Sequence, residues 1–169
     1  MKKPDINWSD PKARITGTHF TVGEVIAKSG YLKMPRGPIR VGPLFAITPR
    51  KNAVLHARKL EELRIQINLS RRNRGLPEAG IQINSWARSW THNKDVGGAR
   101  FSKHLFFLAT DITREEIQRL MPWSNGERQF DALANRIFVK GGFGTYPGGA
   151  RHVDSRGYRA RWSDWIPGR

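Results

Sequence analysis

The spacing of apolar positions changes several times along this chain, and each change predicts an element. Residues 1–19 are mostly polar and read as an extended N-terminal extension. Thr21 and Glu24 then stand at capping-box spacing, followed by Val22, Val25 and Ile26 on one side. This predicts a short helix ending near Ser29-Gly30. Pro35, Gly37, Pro38, Gly42 and Pro43 punctuate residues 31–47, which read as a surface loop. Thr48-Pro49 supplies an N-cap and first-turn pair, and Val54, Leu60, Leu63 and Ile67 follow near helical spacing. They predict the longest helix of the chain, to about Arg72, with its Lys and Arg on the wet face.

Arg74-Gly-Leu-Pro-Glu78 breaks that pattern. Ile81, Ile83 and Ser85 alternate with Gln82, Asn84 and Trp86, as in a half-buried strand. Residues 88–100 read as an irregular loop, and 106–112 as a strand. Thr113 and Glu116 open a short helix through Leu120. Gly126 to Ile137 reads as a further helix with Phe130, Leu133, Ala134 and Ile137 on one face. The C-terminal third turns to β structure: Phe138-Val139-Lys140, a Gly-rich stretch over 141–149, and a strand through Arg151–Ser155. The order predicts an α+β fold, a single domain in which a small antiparallel sheet packs with helices.

A chain of 169 residues suits one such domain with a true core, and six Trp and eight Phe supply large side chains for it. The absence of Cys excludes disulfides and thiolate metal sites, so any bound metal must use His, Asp or Glu. No apolar run is long enough to span a bilayer. The opening M-K-K-P-D-I-N-W-S-D is charged and lacks an apolar core region, so no secretory signal is expected. Thirty Lys and Arg against fourteen Asp and Glu leave a net charge of +16. That charge draws the protein to polyanions such as acidic cell-wall polymers, anionic lipid or nucleic acid. It is spread along the chain, with small concentrations at Arg71, Arg72 and Arg74 and at Arg156, Arg159 and Arg161. No nucleic-acid-binding motif accompanies it, which ranks a nucleic-acid function last.

Candidate chemistry gathers in two places. Val96 to Asp111 reads V-G-G-A-R-F-S-K-H-L-F-F-L-A-T-D, and His152 follows in an H-V-D triplet ending at Asp154. His104, Asp111 and His152 offer two imidazoles and a carboxylate, the kind of three-ligand set that catalytic zinc sites use while keeping a fourth position open. The stretch from Leu105 to Ala109 is too apolar all round for a surface helix, so His104 and Asp111 are expected across a turn and a following strand. His152 and Asp154, two apart on a strand, face the same way, so one can bind metal while the other supports it. By spacing alone, a hydrogen-bonded His–Asp pair without metal is the commoner reading of His104 and Asp111. His19, His56 and His92 belong to no such constellation, and Gly97-Gly98 reads as a turn rather than a phosphate cradle.

The segment S-W-A-R-S-W-T-H-N-K-D-V-G-G-A-R-F-S-K-H-L-F-F-L-A-T-D-I resembles the core of the zinc D-Ala-D-Ala carboxypeptidase family, which includes phage L-alanyl-D-glutamate endolysins and bacterial murein endopeptidases. G-G-F-G-T-Y-P-G-G-A-R-H-V-D followed by R-A-R-W is similar to the family's second block, and His19-Phe-Thr-x-x-Glu24 to its opening. The likeness covers roughly residues 15–162 and implies a zinc peptidase-like domain over 20–165. It implies Zn²⁺ held by His104, Asp111 and His152. Arg88 would bind the substrate carboxylate or polarise the scissile carbonyl, Ser102 would brace the ligand loop, Tyr146 would contact substrate, and Asp154 would orient a ligand or take a proton. The implied reaction is amide hydrolysis in peptidoglycan stem peptides by a phage lysin or a virion-associated wall hydrolase, acting from the host cytoplasm on the wall after lysis or from the particle. Two positions depart from the family pattern. Phe107 stands where the family has Gly, and Gly149 where many relatives place an acidic general base three residues before the last His. They motivate the alternative of a virion structural or wall-docking protein, in contact with other virion proteins, whose peptidase activity is weak or lost.

Overall fold

The computed structural model describes residues 5–41 and 45–163, so positions 1–4 of the extension, Gly42-Pro43 in the expected loop and the last residues of the expected domain lie outside the described residues. The fold is α+β. Helix α1 spans Val22–Ile26 and carries the full capping box: Glu24 N–H donates to Thr21 Oγ1, and Thr21 N–H donates to Glu24 Oε2 at 2.7 Å. It stops before Ser29 because Ala27 leaves helical geometry with ψ 130° and Lys28 turns left-handed at φ 56°. The segment before it is turned rather than extended. Arg14 bridges Thr21, Ile15 N–H donates to the Phe20 carbonyl at 2.8 Å, and the Ile15 side chain is fully buried.

Within the expected loop over 31–47 lie two three-residue strands, β1 (Ile39–Val41) and β2 (Phe45–Ile47), paired antiparallel. Strands this short show no periodicity against the surrounding Pro and Gly. Helix α2 runs Pro49–Arg72 as the spacing predicts, with Pro49 in its first turn. Its inner face carries Ala53, Ala57, Leu60, Leu63 and Ile67, but also buried His56, Glu61, Arg64, Asn68 and Arg71. The expectation that its basic residues all face water is therefore corrected. Arg64 pairs with Glu61 at 2.9 Å, and Arg71 donates to the carbonyls of Leu120 and Arg119 at 2.7 and 3.1 Å. Arg71 thus satisfies carbonyls at the end of a neighbouring helix that have no partner within it.

Residues 81–86 form no strand; they meet the sheet through one bridge, Ser85 to Asp111. The expected loop over 88–100 contains α3 (Trp90–Asp95), capped by Ser89. A 3-10 turn, Lys103–Phe106, leads into β3 (Ala109–Ile112). Helices α4 (Arg114–Leu120) and α5 (Gly126–Ile137) follow as predicted. Residues 138–140 are a turn after α5, and the strand expected there lies further on as β4 (Gly142–Thr145). β5 (Arg151–Asp154) and β6 (Ala160–Trp162) complete a four-stranded sheet of order β3-β5-β4-β6. Its pairs are antiparallel except at the edge, where β6 runs parallel to β4. No described helix is long and apolar enough to cross a membrane.

Phe20, Trp86, Phe107, Phe130 and Phe138 are the largest side chains of the core. Phe107 is notable because its φ is 61°, the left-handed region that disfavours side chains with a Cβ. Its ring turns into the core, 5.5 Å from Tyr31, and its carbonyl accepts the Trp86 indole N–H at 3.3 Å. The backbone conformation thus suits the Gly of the family pattern, while this chain has turned the position into a packing contact. Replacing Phe107 by Gly relieves about 1–2 kcal/mol of left-handed strain. It also removes a buried ring worth about 3–5 kcal/mol. Phe107→Gly should therefore lose about 2 kcal/mol in urea unfolding, and a variant as stable as wild type contradicts this balance.

Candidate metal centre

Register brings the distant residues together. Asp111 on β3 pairs with His152 on the neighbouring β5, His152 pairs with Gly144 on β4, and Gly144 pairs with Trp162 on β6. Side chains in such a cross-strand row share a face. Gly144 has a steric role in it: a Cβ there would lie 2.1 Å from the Trp162 indole. Without that atom, the indole lies across β4 and packs on the His152 imidazole, centroid to centroid 5.1 Å. The 3-10 turn brings His104 to the same point from outside the sheet.

Three donor atoms meet there. His104 Nε2 lies 3.1 Å from Asp111 Oδ1 and 3.2 Å from His152 Nδ1, and His152 Nδ1 lies 3.0 Å from the same Asp111 oxygen. Ligands about 2.0–2.1 Å from a tetrahedral zinc stand roughly 3.3 Å apart, so this triangle is close to the size that the ion requires. All three residues are buried.

The opposite edge of each ligand is fixed. His104 Nδ1 sits 2.5 Å from the Trp86 carbonyl, which can only accept, so Nδ1 carries the proton and Nε2 offers its lone pair to the centre. His152 Nε2 donates to Asp154 Oδ2 at 3.0 Å, leaving Nδ1 to face inward. Asp111 gives its second oxygen to Arg88 Nη2 at 2.6 Å, and Arg88 Nε reaches Ser85 Oγ at 3.2 Å. Asp154 is itself held by the Arg156 guanidinium and by Gly142 N–H, and is fully buried. A carboxylate–imidazole pair of this kind is the usual support behind a ligating His.

The electrostatics agree with that arrangement. Burial alone would raise the Asp111 carboxyl, but His104 and His152 beside it hold it well below the ordinary carboxylate range. Asp154 is depressed likewise, since His152 and Arg156 outweigh its burial. Burial lowers His104. It would lower His152 too, but the carboxylates of Asp111 and Asp154 on either side leave that imidazole raised. Burial and the nearby Asp111 charge push the Tyr146 phenol up, so it stays a neutral hydroxyl; its oxygen stands 3.3 Å from His152 Nδ1 and 3.5 Å from Asp111 Oδ1.

A cleft of about 240 Å³ opens beside the centre, with Arg88, Ser102, Lys103, Tyr146, His152, Arg156 and Trp162 in its wall. Among the described residues, its charged lining groups are the basic Arg88, Lys103 and Arg156. Ser102 stands at the start of the ligand turn, and its carbonyl accepts from Leu105 N–H at 3.1 Å. Phe107 stays out of the cleft, in the core. Gly149 lies in the β4–β5 turn at φ +87°, a conformation that disfavours any side chain, and a Cβ there would lie 2.7 Å from the Arg114 side chain, which would have to shift. Sequence reasoning missed the Trp86 carbonyl, Gly144 and the hold of Arg156 on Asp154. Only the last left a signal, an Arg two residues beyond the H-V-D triplet.

Gly144→Ala should displace Trp162 from His152 and cost about 1–3 kcal/mol, as overpacking typically does. Urea unfolding followed by tryptophan emission measures both effects, and an unchanged midpoint and spectrum contradict the steric account.

No curated protein and no solved structure matches the chain. A family model described as Peptidase M15 matches residues 47–134, just over half of the sequence. The match takes in Arg88, Ser102, His104 and Asp111 and ends before Tyr146, His152 and Asp154, which the sheet register brings to the same centre. With that match added to the His–Asp–His triangle, the chain belongs to the M15 peptidase family, whose members are zinc peptidases.

Proposed function

We propose that this protein is a zinc-dependent peptidase that hydrolyses an amide bond in peptidoglycan stem peptides, as a phage lysin or a virion-associated wall hydrolase. The observation that carries the reading is the set of three donor atoms 3.0–3.2 Å apart, each with its opposite edge already satisfied. Such a set gains its partner without rearrangement of its supports. His104, Asp111 and His152 would hold a zinc ion, which would supply Lewis acidity to activate water near neutral pH and polarise a carbonyl oxygen.

The protein's own groups do the rest. Asp154 fixes the His152 tautomer and, with its oxygens taken by His152, Arg156 and Gly142 N–H, orients the ligand rather than taking a proton from the cleft. Arg88 holds the Asp111 carboxylate and also forms part of the cleft wall, where its remaining N–H groups can meet a substrate carbonyl or carboxylate. Tyr146 offers a neutral hydroxyl at the edge of the centre, suited to donate to an oxygen that gains charge. Arg88, Lys103 and Arg156 favour a substrate that carries carboxylate groups, as stem peptides do. The net charge of +16 holds the protein on anionic wall polymers, an attraction that weakens as salt screens it. One observation favours the second reading, a wall-docking or virion protein with weak activity: among the described residues, no carboxylate lines the cleft to serve as general base.

Metal analysis of protein purified without chelator, paired with digestion of defined muropeptides, tests the proposal. Near-stoichiometric zinc and release of new amine termini are expected, both lost in His104→Ala. Zinc without turnover selects the second reading, and wild type free of zinc sinks the metallopeptidase. Asp154→Asn should weaken zinc binding about 10–100-fold. Because zinc must displace a proton from the raised His152, affinity should also fall as the medium is acidified, by about tenfold per pH unit once that imidazole is protonated. A zinc affinity flat from neutral to mildly acidic pH contradicts ligation through His152.

A further inference from the structure

Behind the sheet, on the face away from the cleft, α2 places one imidazole with no part in the centre described above. His56 is fully buried. Its Nδ1 lies 2.8 Å from Ser155 Oγ and its Nε2 3.3 Å from Thr110 Oγ1. Its ring meets Trp86 edge-on at 5.4 Å and Phe138 at 5.8 Å. Three of these four neighbours adjoin an arm of the metal centre. Thr110 precedes Asp111 on β3 and, by strand alternation, points to the opposite face. Ser155 follows Asp154, the residue that orients His152. Trp86 owns the carbonyl that receives the His104 proton.

An imidazole deep in an apolar core is costly unless both nitrogens are satisfied, and a Leu would pack there without that cost. Burial keeps His56 neutral, its protonation lowered to about 3. One ring nitrogen therefore donates and the other accepts, and the two hydroxyls rotate to match. The polar contacts of this residue thus run only to segments that present the ligands.

We infer that His56 is a positioning residue for the metal centre: by bridging Thr110 and Ser155 and bracing Trp86, it sets the spacing of the segments that carry Asp111, His152 and His104. The inference rests on the zinc reading above. His56 does not line the cleft and acts only through its neighbours.

The test is zinc affinity of the full-length chain, measured by competition with a chromophoric chelator and set beside thermal unfolding of the metal-free protein. His56→Leu should weaken zinc by about tenfold or more, in the range that outer-sphere partners of ligands command. On a muropeptide substrate it should lower kcat while KM moves little. His56→Asn, which keeps a donor and an acceptor, should recover part of the loss. Thr110→Val and Ser155→Ala change volume little and should each weaken zinc several-fold, and they decide the matter if His56→Leu fails to fold. A folded His56→Leu, or a Thr110→Val/Ser155→Ala double variant, that binds zinc as wild type does overturns the inference and leaves the zinc reading standing. Wild type that binds no zinc, or binds it equally after His104→Ala, removes the zinc reading and the inference with it.

Discussion

The Asp111 carboxylate is the group on which the centre depends. One oxygen is held by Arg88 at 2.6 Å, and the other faces the nitrogens of His104 and His152. A buried carboxylate without partners would take up a proton; with two imidazoles and a guanidinium around it, it stays charged. Its position follows from β-sheet register, which aligns it with His152 and carries the same row through Gly144 to Trp162. A one-residue slip of β5 would turn His152 to the far face and dissolve the site. The fold therefore serves the chemistry mainly by fixing one register among three antiparallel strands.

Around that row, a second layer of partners limits how each ligand can turn. The Trp86 carbonyl and Asp154 each accept a hydrogen bond from one imidazole N–H, and Arg156 and the Gly142 N–H donate to the remaining positions of Asp154. Arg156 also stacks over Trp162, 5.2 Å from its ring, so the edge strand that covers β4 is tied to the same network. Mutual satisfaction of this kind gives a rigid site, because no member can rotate without leaving a buried polar group unpaired.

Much of the fold was legible because its longer elements carry strong local signals. Thr48-Pro49 and the spacing of Leu60, Leu63 and Ile67 mark α2, and Phe130, Ala134 and Ile137 mark α5. The elements that escaped are short or depend on tertiary partners. The β1–β2 hairpin has three residues a side, and α3 is a six-residue helix with polar residues at most positions. Residues 81–86 alternate like a strand, yet only Ser85 bridges to the free edge of β3. At the centre, spacing and residue type pointed to His104, Asp111 and His152, which the structure brings within hydrogen-bond distance of one another. Sequence could not reveal the backbone carbonyl behind His104, since every residue but its side chain looks alike there. Nor could it reveal that His56, read as unconnected, contacts the segments carrying all three. Phe107 and Gly149, which argued against turnover, separate in the structure. The first packs into the core, and the second leaves the cleft wall, among the described residues, without a carboxylate.

The most direct test of the account is a crystal structure of the zinc-loaded protein with anomalous differences collected at the zinc edge. One strong peak is expected about 2.0–2.2 Å from His104 Nε2, His152 Nδ1 and Asp111 Oδ1, with a further coordination position open to the cleft. A peak elsewhere, or coordination of His152 through Nε2 with Asp154 displaced, contradicts it.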